Sequence, residues 1–150
     1  MNEETLKQEI INKLGITEDK IVIVRQRRLT CEIEYSRFAD AFKILIVDLK
    51  FNSLCALTGL DEADKLSVIY HLSREDGTVL NLKTSVDKNN PVLMTVTATF
   101  PSAEVYEREL VDLLGFKVEG LPQGNRYPLT DDWPLDEHPL RKDWLPKGIS

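Results

Sequence analysis

The chain has 150 residues, 42% of them hydrophobic and 29% charged, with a formal net charge of −6. That length accommodates one domain whose core needs neither disulfides nor metal to hold it. The acidic balance argues against a nucleic-acid footprint, which requires a basic face, and the absence of any run of 18 apolar residues excludes a membrane-spanning helix.

The first residues, Met1-Asn2-Glu3-Glu4, are acidic and carry no apolar stretch, so no secretory signal is expected. Residues 3–14 read as a helix: Asn2 caps it, Leu6, Ile10 and Leu14 share one face, and Gly15 stops it. Ile21 to Val24 is a β-branched run broken by Arg25-Gln26-Arg27-Arg28. Cys31, Ile33 and Tyr35 then alternate with Glu32 and Glu34, as in the half-buried second arm of a hairpin. Ser36 is the expected N-cap of a second helix over residues 37–50. Its stripe of Phe38, Ala41, Phe42, Leu45, Ile46 and Leu49 is core.

A three-strand meander is expected next, over residues 51–60, 66–73 and 78–86, with polar turns at Asp61-Glu62-Ala63-Asp64 and Asp76-Gly77. After the loop 87–91, residues 92–100 alternate cleanly: Val92, Met94, Val96, Ala98 and Phe100 on one side, Leu93 and three threonines on the other. Pro101 ends that extended segment and Ser102 is the expected cap of a helix over 103–114 that closes on Gly115. From Phe116 onward the composition changes. Residues 116–150 hold five of the seven prolines and both tryptophans, with no periodic segment and too few aliphatics for a core of their own. Such a tail needs a surface to lie on. The expected architecture is an α+β (mixed α/β) single domain over residues 1–115, with a mainly antiparallel sheet and flanking helices. Residues 116–150 form an extended C-terminal docking tail that folds back or wraps a neighbour.

Cys31 and Cys55 fall in apolar strand-like segments, where a reduced, buried thiol is the plain reading. With His71 and His138 they make no ligand cluster for zinc or an iron–sulfur centre. On the third helix, Glu104, Arg108 and Asp112 form one i, i+4 ladder in which the arginine serves both carboxylates, an ordinary solvated face. In the tail, Arg126 and Arg141 are suited to fork onto a carboxylate across an interface. Trp133 and Trp144 are of the type enriched at interface hot spots or, as readily, cover their own core. His138 suits packing or a hydrogen bond to a partner's backbone. A reading from another class also stays open: a small stand-alone enzyme with Glu107, Glu109 or His138 as acid/base groups, which needs a self-contained pocket.

The ordered motifs Glu107-Arg108-Glu109 with Asp112 and Gly115, then Asp131-Asp132-Trp133-Pro134, then His138-Pro139-Leu140-Arg141-Lys142-Asp143, resemble the 30 kDa subunit family of respiratory complex I, the NADH-quinone oxidoreductase. The same family includes the corresponding subunit of membrane-bound, energy-converting nickel–iron hydrogenases. Quinone-reducing members carry a His-Pro-x-Leu-Arg step after the glycine, whereas this chain reads Gly120-Leu121-Pro122-Gln123-Gly124-Asn125-Arg126, with leucine in place of the histidine. The stretch from Tyr127 to Pro134 is more similar to the hydrogenase branch.

What the resemblance implies is a cofactor-free structural and assembly subunit on the cytoplasmic side of the membrane. Its implied partners are the large catalytic subunit (the 49 kDa subunit of complex I or the nickel–iron large subunit of a hydrogenase) and iron–sulfur subunits. Those partners would hold the iron–sulfur clusters and, in the hydrogenase branch, the nickel–iron centre. Membrane contact would come only through partners. The motif residues, together with Arg126, are the implied partner contacts. The expected parent is an energy-converting hydrogenase, with complex I itself as the alternative.

Overall fold

The computed structural model describes residues 2–146. Helix α1 (Glu3–Leu14) starts where the sequence places it, with the Asn2 side chain accepting the Thr5 N–H at 2.8 Å. It ends at Gly15, whose left-handed φ of 62° costs a glycine little. The Arg37 guanidinium donates to the Leu14 carbonyl left over at that end. Strands β1 (Ile21–Arg25) and β2 (Arg28–Glu32) form an antiparallel hairpin, with Ile21 opposite Cys31 and a bulge between Ile23 and Arg25.

The path into the second helix differs from expectation, and that helix ends at Val47, short of residue 50. Tyr35 does not extend β2; it opens a 3-10 turn (Tyr35–Arg37) that leads into α2 (Phe38–Val47). Ser36 lies inside that turn, and Arg37, the residue at the cap position, makes no side-chain cap bond. Burial holds this helix in place of a cap: Phe38, Ala41, Phe42, Leu45 and Leu49 are all core. Phe38 stands 4.8 Å from Tyr70 between ring centroids and 5.1 Å from Phe42, an aromatic cluster beneath the strands.

The meander appears as β3 (Ser53–Asp61), β4 (Lys65–Ser73) and β5 (Val79–Asp87). Connections this short force their neighbours antiparallel. The sheet order is β1-β2-β5-β4-β3, and β2 meets β5 in parallel, with Leu29 opposite Leu80 and Cys31 opposite Leu82. That pairing requires a long crossover, which α2 and the β3–β4 hairpin supply. The fold class is the expected α+β arrangement with a mainly antiparallel sheet. Cys31 is buried, and burial pushes its thiol up to about 12. Cys55, expected to be buried, is exposed on β3, where it lines an open depression of the sheet.

By compactness the chain divides into two units, one of residues up to Leu57 with Val68–Ser85, the other of Thr58–Ser67 with everything from Val86. The division does not fall at Gly115. In the second unit, the clean alternation over 92–100 yields only a three-residue strand, β6 (Val92–Met94), paired in parallel with β7 (Lys117–Glu119). Beyond Met94 the chain leaves the extended path. A turn closes instead, with Phe100 N–H donating to the Val96 carbonyl at 2.8 Å. A three-residue partner strand offers no ladder for a longer one, so period-2 patterning alone does not extend it.

Candidate functional site

Helix α3 (Ala103–Glu109) runs into a π-helical turn (Leu110–Leu114) that closes on Gly115. Ser102 occupies the position before α3 but makes no side-chain cap bond; the Ala103 N–H donates to the Phe100 carbonyl at 2.9 Å instead. Gly59 on β3 lets the π turn come close, since a Cβ there would lie 2.4 Å and 2.7 Å from methyls of Leu114 and Leu110. A π turn inserts one residue, which moves later side chains about 100° around the axis. The expected ladder therefore breaks. Arg108 pairs with Glu104 at 2.8 Å, while Asp112 turns inward and pairs with Arg126 at 3.1 Å. The charged helix is not a plain solvated face, because Glu107 and Asp112 are buried.

Three buried carboxylates organise this unit. Glu107 accepts the Val96 N–H at 2.8 Å and the Thr95 hydroxyl at 2.6 Å, which bends the chain after β6. Burial raises its pKa, and those two bonds offset only part of the effect. Asp112 accepts Arg126 Nε with one oxygen and the Leu129 N–H with the other, each at 3.1 Å. Asp61 accepts Lys88 Nζ at 2.9 Å, the Lys142 N–H at 2.8 Å and the Ala63 N–H at 2.9 Å. Its burial acts to raise its pKa, but these donors outweigh it and hold the carboxyl at about 2. Asp61 and Lys88 escaped sequence reasoning because both sit in segments that read as polar turns.

Around these anchors the residues after Gly115 fold back on their own unit. Arg108 also donates to the Pro122 carbonyl and lies against Gly124, where a Cβ would approach its guanidinium to 2.6 Å. Arg126 donates to the Trp133 carbonyl, and Trp133 Nε1 donates to the Glu137 carbonyl at 2.8 Å. The two tryptophan rings pack 5.9 Å apart. His138 Nδ1 donates to the Asp112 carbonyl at 3.0 Å, so the backbone it meets is its own. Leu140 N–H donates to the Leu113 carbonyl at 2.9 Å and Arg141 Nε to that of Leu114 at 2.6 Å. The His138 and Arg141 side chains cross over Gly115, where a Cβ would meet His138 at 2.6 Å and Arg141 at 2.9 Å. Asp143 completes the Asp61 cluster, 3.6 Å from Lys88.

The remaining motif side chains take no part in the Glu107, Asp112 and Asp61 anchors, although the Lys142 backbone N–H donates to Asp61. Glu109 and Pro139 are half-buried, and Asp131, Asp132, Pro134 and Lys142 are exposed. The outward face of the arm is unexpectedly apolar: Leu135 is 83% exposed, Leu145 80%, Leu140 57% and Tyr127 45%. Arg108, Arg126, His138 and Arg141 hold the arm down, while Leu135, Leu140 and Leu145 face outward beside the exposed Asp131, Asp132 and Lys142. Leu135 and Leu145 fall outside every motif quoted from the sequence; isolated leucines in an aperiodic, proline-rich stretch give no pattern to read.

Among the described residues no group of three or more His, Cys, Asp or Glu side chains is arranged to hold a metal. No described helix is long and apolar enough to cross a membrane. Of the candidate acid/base groups, Glu107 has both oxygens engaged inside the unit, and His138 is tied to the backbone.

Comparison with known proteins matches residues 31–149 to the family described as the 30 kDa subunit of respiratory-chain NADH dehydrogenase. The C subunit of NADH-quinone oxidoreductase from Moorella thermoacetica is 37% identical over 113 residues, which cover 71% of this chain and 75% of that one. Formate hydrogenlyase subunit 5 of Escherichia coli is 41% identical over 95% of this chain, which spans only 26% of that longer protein. A chain in the structure of the membrane-bound sulfane sulfur reductase, an archaeal respiratory membrane complex, superposes with a TM-score of 0.82 at 27% identity. That match covers 94% of this chain and 84% of the other. The family match takes in the buried carboxylates and the arm they hold: the chain belongs to the family of the 30 kDa subunit of respiratory-chain NADH dehydrogenase.

Proposed function

We propose that this chain is a cofactor-free structural subunit of a membrane-associated respiratory complex. The arm after Gly115 serves as its docking surface for the large catalytic subunit and the neighbouring iron–sulfur subunits. The observation that carries this reading is the set of exposed leucines on an arm whose anchoring side chains are used internally. Arg126, His138 and Arg141 are spent on internal bonds, while Leu135, Leu140 and Leu145 face outward. An arm clamped in advance loses little freedom on binding, so its apolar face is worth more to affinity than that of a loose tail. The docking residues are then these leucines with Tyr127, Asp131, Asp132 and Lys142. Glu107, Asp112 and Gly115 act as struts that shape the surface. Iron–sulfur clusters reside in the partners, and the complex lies at the cytoplasmic face of the membrane.

The parent complex is of the hydrogenase-like branch. Two observations support this: the 41% identity to a formate hydrogenlyase subunit along nearly the whole chain, and leucine at position 121 where quinone-reducing members carry histidine. Complex I itself is the second reading, favoured by the NADH-quinone oxidoreductase relatives.

The test is affinity purification of the complex from its native host with the full chain tagged, comparing wild type with the Leu135→Ser, Leu145→Ser double variant. Each buried leucine at an interface contributes about 2 kcal/mol, roughly thirtyfold in affinity. The variant should therefore lose the large subunit while its own melting temperature stays unchanged. Full recovery of partners with the variant overturns the docking role. Nickel in the co-purified complex identifies the branch; flavin-bearing NADH-oxidising subunits identify the alternative.

A further inference from the structure

The open face of the sheet in the first unit presents a cationic, partly apolar strip. Strand β1 is the sheet's edge, and its Val22 and Val24 are 54% and 60% exposed. Register explains why they share a face with polar residues. Val22 stands opposite Thr30, between the buried Leu29 and Cys31, so the open face carries the alternate positions Arg28 and Thr30. On β5 these pair with Val79 and Asn81, and Asn81 bonds His71 Nδ1 on β4 at 2.7 Å. The strip sinks into a depression of about 560 Å³ lined by Val24, Arg25, Arg28, Cys55, His71 and Val79 among others, with no carboxylate in its lining. In a chain of net charge −6 that is a local reversal of sign. Arg28 is also held in place, donating to the Arg27 carbonyl at 2.9 Å and the Gly77 carbonyl at 3.3 Å, so its guanidinium is positioned before anything binds.

We infer that this face seats an extended acidic segment of a neighbouring subunit, with its carboxylates on Arg25 and Arg28 and an aliphatic side chain against Val24 and Val79. Exposed β-branched residues on an edge strand invite an added strand, and the carboxylate-free, two-arginine lining selects an acidic one. A pair of arginines is too small a footprint for a nucleic-acid backbone, which is followed by many cations. The inference rests on the subunit reading above but concerns a different surface.

Cys55 lies in the depression and is exposed, whereas the buried Cys31 serves as an internal control. The experiment measures maleimide labelling of Cys55 in the free full-length chain and in the purified complex, with a photocrosslinking residue at position 24 to capture what covers it. Labelling should slow by about tenfold or more in the complex, an occupancy effect of the size expected for a stable interface. The crosslink should map to a segment rich in Asp and Glu, and Arg25→Glu should restore labelling; Arg25→Gln, a milder change on an exposed strand position, should restore it in part. Unchanged labelling in an intact complex overturns the inference, as does a crosslink to lipid, to a second copy of this chain or to a neutral segment. Failure of any partner to co-purify overturns the subunit reading instead, so the two outcomes are separable.

Discussion

Replacing Asp112 by alanine removes one carboxylate and leaves its donors without the acceptor they now have. Arg126 Nε and the Leu129 N–H each lose a 3.1 Å bond, and Arg126, whose side chain is only 13% exposed, keeps its charge without a counterion. Through Arg126 the perturbation reaches the Trp133 carbonyl and hence the loop that positions Trp133. Removing one member of a largely buried pair costs about 3–5 kcal/mol. Partial exposure of the guanidinium lets water recover some of that, so the expected loss is about 3 kcal/mol, most of it felt as release of residues 126–133. Asp112→Asn keeps an acceptor for one donor and should lose about half as much. Native-state hydrogen exchange reads the effect directly: protection of the Leu129 amide should fall by about two orders of magnitude, since about 1.4 kcal/mol is tenfold. Limited proteolysis should nick the variant between residues 120 and 133 before the wild type. Unchanged Leu129 protection in Asp112→Ala would refute the idea that this carboxylate anchors the arm.

Other expectations follow from the same geometry. Glu107 has a pKa raised above 4.5 by burial, so its ionisation opposes folding; stability should decline as pH rises from the unfolded value through the folded-state pKa, and Glu107→Gln should abolish that decline in denaturation curves taken from acid to neutral pH. Asp61 is depressed from 3.8 to about 2. Its contribution is present above 3.8 and lost as pH falls through about 2; it amounts to about 2 kcal/mol, and Asp61→Asn should remove this acid-side slope. Gly115→Ala combines a φ of 77° with a Cβ that would displace His138 and Arg141. It should cost about 2–3 kcal/mol by thermal unfolding and loosen protection of the Leu140 amide.

Local chemistry was legible in the sequence wherever a short-range rule acts without competition. Asn2 and Gly15 delimit α1 because cap and left-handed stop are satisfied within a few residues. The stripe on α2 and the meander followed from periodicity, and the family from three ordered motifs. What the sequence hid depended on partners distant along the chain. The ladder Glu104–Arg108–Asp112 is correct for an α-helix, but Gly59 admits a π turn from some fifty residues upstream and sends Asp112 to Arg126. The alternation over 92–100 is real, yet Glu107 captures the Val96 N–H and its partner strand is only three residues long, so no ladder forms. Asp61 looked like turn chemistry until Lys88 and Lys142 met it across 27 and 81 residues. Sequence settles what a residue does to its own backbone. Which buried charge finds which counterion, and which leucines are then left facing outward, is decided only when the chain closes on itself, because desolvation penalises every unpaired charge and selects the pairing that satisfies them together.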